Sequence, residues 1–422
     1  MRKALALILT AALALFLLQG CGEKEVVEKV VEKVVEKQAL PQTYKIASSL
    51  AITGPTSDVG SPYSKGINDY VRYVNDEKLL GKDTLEVIIK DDAYKTENTK
   101  RNFEDFLAQG IVLYLNYSTG STMGLKRDFE EEKIPVIPAS FHAGNLVDSN
   151  YIFLPIPSYS SQAIGLAEYV VTNHKGGGKP KVAMFIHPSA FGRGPVDDVK
   201  KAAAAGLGIE IVEVVEHGKD LDNTAMLKRL ISKKVQYIIS QTVQPPVATM
   251  LKGAMSLGVA AKSFGEEGKI TFLSCHYAGG PDLIALAGAD AEGSFWTTAY
   301  RLTTAKGPGT DAQLAMAKRY GRDSKLANSQ NYTNGIQVTQ IAVEAMRRVK
   351  AKGKKISRET LHEELLAMNG YNAYYPLTTV GPVSFSKDDR EGVDLLQLYR
   401  AEGGIFSEVG APFASEYVKR IK

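Results

Sequence analysis

The stretch that decides the fold is Tyr44–Asn75, YKIASSLAITGPTSDVGSPYSKGINDYVRYVN. It opens with a β-rich apolar segment, and glycine and proline then mark a loop. Ser61 and Pro62 predict that a helix starts there, because serine is a good N-cap and proline suits the first helical position. Apolar residues from Ile67 to Val74 follow at helical spacing. The stretch predicts a strand, a loop and a helix, and such loops bind ligands in open α/β sheets. Any α/β domain could also begin in this way.

The bulk composition is that of a soluble globular protein with room for two domains: 422 residues, 44% hydrophobic and 23% charged. The formal net charge is +4, and Arg2 and Lys3 contribute to it within a segment that we predict to be removed. The mature chain is therefore expected to be close to neutral. A nucleic-acid partner would need a basic face, so the composition argues against one.

Residues 1–20 are predicted to be a signal peptide. Arg2 and Lys3 precede the apolar run Ala4–Leu18, which is short for a membrane span. The run ends in Leu-Gln-Gly-Cys, which resembles the bacterial lipobox, and this predicts cleavage before Cys21 and lipid attachment to it. An ordinary secretory peptide with an incidental cysteine is the alternative. We expect an extracytoplasmic, membrane-anchored lipoprotein without an intrachain disulfide, since Cys275 is the only other cysteine.

Residues 21–42 are predicted to form a lipidated tether. The tetrapeptide VVEK occurs there three times, at 26–29, 30–33 and 34–37. A solvated linker is the favoured interpretation. A short coiled-coil stalk is the alternative, but the segment is shorter than the three or four heptads that indicate one.

Strands and helices alternate from Tyr44 onward in two series, joined by an extended segment at Tyr151–Pro157. The second series begins with a helix at Ser161–Asn173. Repeated βαβα units with short loops predict parallel sheets covered by helices. The sequence therefore predicts an α/β fold with two similar lobes, followed by further helices and two closing strands at Gly381–Phe385 and Val393–Arg400.

Several short motifs occur in the order and at the spacing of a known family. They are TGPTSDVGSPYSKG at 53–66, DDA at 91–93, Gln109–Ile111, Ile134–Ile137, FGRG at 191–194, Ala291–Gly293 and Gly381–Phe385. On these residues the chain resembles the periplasmic binding proteins of branched-chain amino-acid (leucine/isoleucine/valine) ABC transporters. The resemblance covers nearly all of residues 43–408. It depends on the order of the motifs rather than on any single one.

The resemblance implies the type I fold, in which two Rossmann-like lobes with parallel sheets are joined by a three-segment hinge. We expect an N-terminal lobe of residues 43–154 plus 297–378, a C-terminal lobe of residues 155–296 plus 379–408, and a tail of residues 409–422. A ligand between the lobes favours the closed form by its higher affinity for that form. The closed form would dock on an ABC permease with its ATPase subunits.

Three classes of function remain open. The first is a monomeric, non-enzymatic solute receptor of an importer, without cofactor or metal. The second is a ligand sensor of the same fold. The third is an enzyme, for which the sequence lacks a G-x-S-x-G elbow and a full G-x-G-x-x-G fingerprint. Among the six scattered histidines only His142 and His276 could meet in a cleft, and two ligands do not make a convincing metal site.

The resemblance places ligand contacts on loops that follow strands. In the first lobe the candidates are Tyr117, Ser118, Thr119, Gly120, Ser121, Ser140, Phe141 and His142. Hydroxyls and N–H groups at the start of a helix form an anion site, and in the family the ligand's carboxylate binds here. Alternatively, residues 118–121 only cap their own helix, although capping needs one such residue and several cluster here.

In the second lobe the candidates are Phe191, Gln241, Thr242, His276 and Tyr277. Amino-acid binders of the family typically carry an acidic residue at the position of His276, where it pairs with the ligand's ammonium. An imidazole cannot replace a carboxylate as the partner of a cation. We therefore expect an aromatic or other organic acid, or an amide, rather than a free amino acid. A branched-chain amino acid remains the alternative, and so does a surface position for His276.

Overall fold

The computed structural model describes residues 40–218, 220–371 and 379–421. The predicted signal peptide, Cys21 and the VVEK repeats lie outside the described residues. From Thr43 onward the chain forms one unit by its internal contacts. None of the helices in the described ranges has the length and apolar character needed to cross a bilayer.

The described strands and helices alternate over most of the chain. The strands are β1 (Thr43–Leu50), β2 (Thr84–Asp91), β3 (Leu113–Asn116), β4 (Lys181–Ile186), β5 (Glu210–Glu216), β6 (Tyr237–Gln241), β7 (Thr271–Ser274), β8 (Phe295–Thr298), β9 (Leu396–Glu402) and β10 (Ile405–Phe413). The helices are α1 (Ser57–Asp76), α2 (Thr96–Ala108), α3 (Thr119–Gly124), α4 (Lys126–Glu131), α5 (Tyr159–Asn173), α6 (Ala190–Arg193), α7 (Val196–Ala202), α8 (Asn223–Ser232), α9 (Gln244–Ser256), α10 (Pro281–Ala287), α11 (Pro308–Arg319), α12 (Ser324–Ala327), α13 (Gln330–Ala351), α14 (Arg358–Leu366) and α15 (Glu416–Ile421).

The first sheet has three parallel strands in the order β2-β1-β3. Its β3 edge continues through single bridges, from Tyr114 to Val136 and from Val136 to Ile152. Within the segment Pro135–Pro138, Val136 is the residue that forms these bridges. The prolines on either side have no N–H group with which to extend the ladder.

The second sheet has seven strands in the order β10-β9-β8-β7-β6-β4-β5. Strands β4 to β8 pair with one another in parallel, whereas β9 runs antiparallel to both β8 and β10. The prediction of an α/β fold with parallel-rich sheets is confirmed. Strand β8 pairs with β9 as far as Thr298, which lies beyond the lobe boundary expected at 296.

A tight hairpin joins β9 to β10 at Gly403 and Gly404. Both residues have positive φ, 60° and 79°, the conformation that two-residue hairpins with primed turns require. Ile405 pairs with Glu402 directly across the turn. Strand β10 extends to Phe413, so residues 409–413, which were expected in the tail, belong to this strand.

Helix α1 begins at Ser57 rather than at Pro62. Pro62 lies inside the helix, near its N-terminal end, where the missing N–H removes a single intrahelical bond. The early start brings Gly60 against the end of β1, because a Cβ on Gly60 would lie 2.2 Å from the carbonyl oxygen of Ala51. This contact fixes the first turn of α1 beside the loop that precedes it.

Helices α1 and α13 cross at two glycines. A Cβ on Gly335 would lie 2.0 Å from the carbonyl oxygen of Tyr63, and a Cβ on Gly66 would lie 2.2 Å from that of Tyr332. The two backbones therefore pack in direct contact.

The same crossing contains a buried ion pair. Asp69 on α1 is fully buried, and Nε and Nη2 of Arg322 donate to its two carboxylate oxygens at 2.6 Å. The Tyr332 hydroxyl donates to the carboxylate at 2.8 Å. A bidentate guanidinium and a third donor satisfy the buried carboxylate, so this network connects α1 and α13 with the segment after α11.

Candidate ligand-binding site

A cavity lies where loops from the two sheets meet. It encloses about 280 Å³ of atom-free space, part of it continuous with solvent. Its walls are formed by Thr56, Val59, Tyr94, Tyr117, Ser118, Thr119, Ala139, Tyr159, Phe191, Val243 and Tyr277. Three of these residues carry hydroxyl-bearing aliphatic side chains, the other eight are apolar or aromatic, and none carries a charged group.

The position of the cavity follows from the topology. Tyr117 follows β3, Val243 follows β6 and Tyr277 follows β7. The carboxyl ends of parallel strands meet at one edge of a sheet, and ligands bind outside that edge in open α/β folds. Two such edges face the same cavity here.

Hydroxyl groups form the polar part of the wall. Ser118 caps α3, because its Oγ accepts the Ser121 N–H at 3.1 Å, and its Oγ lies 2.7 Å from the Ser121 Oγ. The Thr119 hydroxyl is paired with that of Ser140 at 2.8 Å. Capping and binding are thus compatible at this helix, since one serine caps and its neighbours remain in the wall.

Aromatic side chains join the two sides of the cavity. Tyr277 donates its hydroxyl proton to the carbonyl oxygen of Ala139 at 2.8 Å, and the Tyr159 hydroxyl lies 3.4 Å from the same oxygen. Burial raises the pKa of both phenols, so both act as neutral donors. The ring of Phe191 lies 5.2 Å from that of Tyr159. The wall is therefore closed by contacts between residues on the two sheets.

The predicted contacts divide into two layers. Those in the cavity wall are Tyr117, Ser118, Thr119, Phe191 and Tyr277. Those buried without lining the cavity are Ser121, Ser140, Phe141, Gln241, Thr242 and His276. Gly120 is exposed and His142 is half-buried, and neither lines the cavity.

The second layer positions the wall. The Phe141 ring stacks on that of Tyr277, with 5.5 Å between centroids and 8° between planes. The Gln241 amide donates to the carbonyl oxygen of Phe191 at 3.2 Å. These contacts restrict the rotamers of the side chains that face the cavity.

His276 is fully buried behind this wall. Its Nδ1 lies 2.7 Å from the Thr298 hydroxyl, and its Nε2 lies 2.9 Å from the Asn334 amide nitrogen. Its carbonyl oxygen accepts hydrogen bonds from Trp296 and Gln330. Burial lowers the pKa of His276 to about 3, so the ring is neutral and connects the β7 loop with α13.

Acidification is expected to destabilise the protein through His276. Between pH 6.5 and about 3 an unfolded chain binds a proton at this ring that the folded chain does not bind. The free energy of unfolding therefore falls as the pH falls, by about 2 kcal/mol from this group between pH 7 and pH 5. Denaturant titrations of the wild type and of His276→Asn at both pH values measure the effect. An equal loss in the two proteins would contradict it.

Six wall residues are additions to the predicted set: Thr56, Val59, Tyr94, Ala139, Tyr159 and Val243. Thr56 and Val59 lie inside the motif at 53–66, and Tyr94 directly follows the DDA motif. Ala139 and Val243 each adjoin a predicted contact. Tyr159 has a weaker signal, because it opens α5 two residues before the predicted helix start.

The site defines a class of protein. Two α/β lobes enclose an uncharged, largely apolar cavity with a few hydroxyl groups, which is the arrangement of a small-molecule receptor. Within the described residues no group of three or more His, Cys, Asp or Glu side chains is placed to hold a metal ion.

A family model described as periplasmic binding protein matches residues 43–404, and the chain belongs to that family. The structure of a branched-chain amino acid ABC transporter protein from Thermus thermophilus with bound valine is 41% identical, with a TM-score of 0.84, and the match covers 90% of this chain and 99% of that one. This similarity confirms the type I fold. A solute-binding protein of an ABC transporter from Rhodopseudomonas palustris, in complex with 3,4-dihydroxybenzoic acid, is 21% identical, with a TM-score of 0.70 over 88% of this chain and 98% of that one.

Among sequence relatives, the leucine-, isoleucine-, valine-, threonine- and alanine-binding protein of Pseudomonas aeruginosa is 24% identical over 259 residues. That match covers 60% of this chain and 66% of the relative, just under two thirds of its length. The family consists of extracytoplasmic transport receptors rather than enzymes. The predicted membership in the branched-chain amino-acid binding group of ABC transporter receptors is confirmed.

Proposed function

We propose that the protein binds a small carboxylic acid with a compact apolar body and delivers it to an ABC importer. The chemistry of the cavity wall carries the proposal, because hydroxyl groups and aromatic rings line it and no carboxylate does. The ligand's carboxylate would accept hydrogen bonds from the hydroxyls, and its hydrocarbon part would pack against the rings. An amide of the same shape would use the same hydroxyls.

Ser118 is the best placed donor for the acid. The Ser121 hydroxyl can donate its proton to the Ser118 Oγ, which lies 2.7 Å away. The Ser118 hydroxyl proton is then free to turn toward the cavity. A hydrogen bond to an ionised acceptor is stronger than one between neutral groups, so a carboxylate is the ligand group that gains most from this arrangement.

An ammonium group finds less support at the wall. The carbonyl oxygen of Ala139 is already approached by the hydroxyls of Tyr277 and Tyr159. His276 is neutral and lies behind the wall. A cation brought into this cavity would lose hydration without gaining a charged partner, and this favours an organic acid over a free amino acid. For His276 we propose a supporting role instead of ligand contact.

A branched-chain amino acid is the second candidate, and the 41% identical protein with bound valine favours it. In that case Asp58 is the nearest acidic group by position, between the wall residues Thr56 and Val59. The Asp58 residue is exposed, but surrounding protein atoms desolvate its carboxyl and raise its pKa. Burial is the main reason that the pKa of the wall residue Tyr117 is raised, and the charge of Asp58 adds to this effect.

Matched ligands separate the two candidates in a calorimetric titration. The set contains valine, its deaminated analogue 3-methylbutanoate, and 3-methylbutanamide, which lacks the carboxylate. We expect 3-methylbutanoate to bind at least as tightly as valine, because the ammonium gains no partner. The amide should bind about tenfold more weakly than the acid, since it cannot offer an ionised acceptor.

Asp58→Asn provides the matched variant. If valine is the ligand, Asp58→Asn weakens valine binding, and 3-methylbutanoate binds poorly to both proteins. That pattern would overturn the organic-acid proposal. If the acid is the ligand, the substitution does not weaken its binding, because no cation is present to lose a partner.

Further proposals concern the attachment of the protein to the membrane and the boundaries of its two lobes. We propose that residues 1–20 are removed, that Cys21 carries lipid, and that residues 21–42 tether a monomeric receptor domain to the membrane. The lobe boundaries at 154, 296, 378 and 408 are proposed as given above, with β10 continuing past the last of them. The mass of the mature N-terminal peptide tests the lipid, and the same fold as a sensor subunit would show ligand binding without ligand uptake.

A further inference from the structure

Thr56 carries a buried hydroxyl group that has no hydrogen-bond partner among the described residues. The residue is 2% exposed and lines the cavity. Its Oγ1 makes no hydrogen bond with any described residue. Buried side-chain hydroxyls are nearly always hydrogen-bonded, so an exception requires an explanation.

The hydroxyl is not used to cap the helix. Thr56 directly precedes α1, a position at which threonine usually accepts an N–H from the first turn through its side chain. Here no such bond forms, and the carbonyl oxygen of Thr56 accepts the N–H groups of Val59 and Gly60 at 3.1 and 3.0 Å. Hydrogen bonds from α1 therefore hold the main-chain carbonyl of Thr56, whereas its side-chain hydroxyl forms none.

The Tyr117 hydroxyl contacts Thr56, but it does not satisfy the Thr56 side chain. Its single proton goes to the carbonyl oxygen of Thr56 at 3.1 Å. Burial raises the pKa of Tyr117 and the Thr56 side chain offsets part of that rise, but the two hydroxyl groups do not meet the geometry of a hydrogen bond. The donor capacity of Thr56 remains available to a group in the cavity.

The side chain of Tyr117 separates Thr56 from the proposed acid end. Its hydroxyl contacts Thr56, and its main chain continues directly into Ser118 and Thr119. The Thr119 hydroxyl is paired with that of Ser140, whereas the Ser118 Oγ accepts hydrogen bonds from Ser121 and keeps its own proton for the cavity. The wall therefore has polar side chains at two positions, Ser118 with Thr119 at one and Thr56 at the other, and the side chain of Tyr117 links them.

We propose that the Thr56 hydroxyl donates a hydrogen bond to a second oxygen of the ligand, remote from its carboxylate. The preferred ligands are then acids that carry a distant hydroxyl or oxo group. This inference rests on the proposed organic-acid function and makes Thr56 a residue that determines specificity. It also accounts for a threonine at a helix start whose side chain does not cap the helix.

Benzoate, 3-hydroxybenzoate and 4-hydroxybenzoate are the probes, because the ring fixes the distance between their two polar ends. We expect the wild type to bind one of the hydroxylated acids about tenfold more tightly than benzoate, the effect of one additional hydrogen bond. Thr56→Val should reduce this preference to about twofold or less, whereas Thr56→Ser should retain it. Val59→Ala, which removes only apolar surface, should leave the preference unchanged while lowering all affinities.

A second measurement needs no ligand. Thr56→Val should unfold at the same temperature as the wild type or at a higher one, because it removes a hydroxyl without a protein partner. A lower unfolding temperature would show that the hydroxyl has a partner in the protein and would overturn the inference. A wild type that does not distinguish hydroxybenzoates from benzoate would also overturn it.

Failure of the underlying function has a different signature. If valine binds and neither 3-methylbutanoate nor any of the three benzoates does, the organic-acid proposal fails and this inference fails with it. If the acids bind but Thr56→Val weakens benzoate and both hydroxybenzoates by the same factor, only the role of Thr56 is overturned.

Discussion

Replacement of Gly335 by alanine is expected to cost at least about 3 kcal/mol of unfolding free energy, or to prevent folding. The added Cβ would lie 2.0 Å from the carbonyl oxygen of Tyr63, and its next neighbour is the main-chain nitrogen of Ile67 at 3.0 Å. Both are backbone atoms of α1, so no side-chain rotation relieves the clash. The two helices would have to separate along their whole crossing. Chemical denaturation of the purified variant measures the loss.

Gly253→Ala is the matched control for this substitution. Gly253 also lies in a helix, α9, but a Cβ there would meet only side-chain atoms, at 3.5 and 3.8 Å. Alanine favours helix over glycine by about 1 kcal/mol, so this variant should be as stable as the wild type or slightly more stable. Similar stability of the two variants would contradict the proposed backbone contact between α1 and α13.

Replacement of Arg322 by methionine is expected to cost about 3–5 kcal/mol. The substitution leaves the Asp69 carboxylate fully buried, with the Tyr332 hydroxyl as the remaining donor described for it. An unpaired charge inside a protein is far more costly than the same charge in water. The midpoint of denaturant unfolding, compared with that of the wild type, measures the effect.

An exposed ion pair nearby provides the control. Arg319 contacts Glu77 at 2.5 Å, but the two side chains are 45% and 42% exposed, so Arg319→Met should cost less than about 1 kcal/mol. The double variant Asp69→Leu/Arg322→Met should recover part of the loss, because it removes the unpaired charge. Equal effects of Arg322→Met and Arg319→Met would refute the buried pair as the source of stability.

The alternation of strands and helices was sufficient to predict the fold because each period is a local property of the sequence. Element ends depend more on tertiary contacts. Helix α1 starts at Ser57 because Gly60 packs against Ala51, a contact that Ser61 and Pro62 do not reveal. The hairpin between β9 and β10 could have been predicted from the local sequence, because a Gly-Gly pair such as Gly403-Gly404 is typical of a two-residue turn between strands.

The sequence was sufficient to predict which loops form the site. It was not sufficient to predict which of their residues line the cavity and which lie behind its wall. Loops after strands converge in any parallel sheet, so the segments around Ser118 and Tyr277 could be placed near each other. The depth of His276 depends on Thr298 and Asn334, which are distant in sequence. Some wall residues, such as Thr56, were not predicted. Thr56 lines the cavity because α1 starts at Ser57, and that start depends on the packing of Gly60 against Ala51.

The hydrogen bond from Tyr277 to the carbonyl oxygen of Ala139 has a consequence for signalling to the membrane. It joins loops that follow strands of the two sheets through protein atoms alone, so under the proposed transport function it would favour the closed form before any solute binds. A solute then supplies only the remaining part of the closing free energy. If the protein delivers its ligand to an importer as proposed, a stronger bond here would increase the fraction of empty, closed receptors, and these would compete with loaded receptors for the permease.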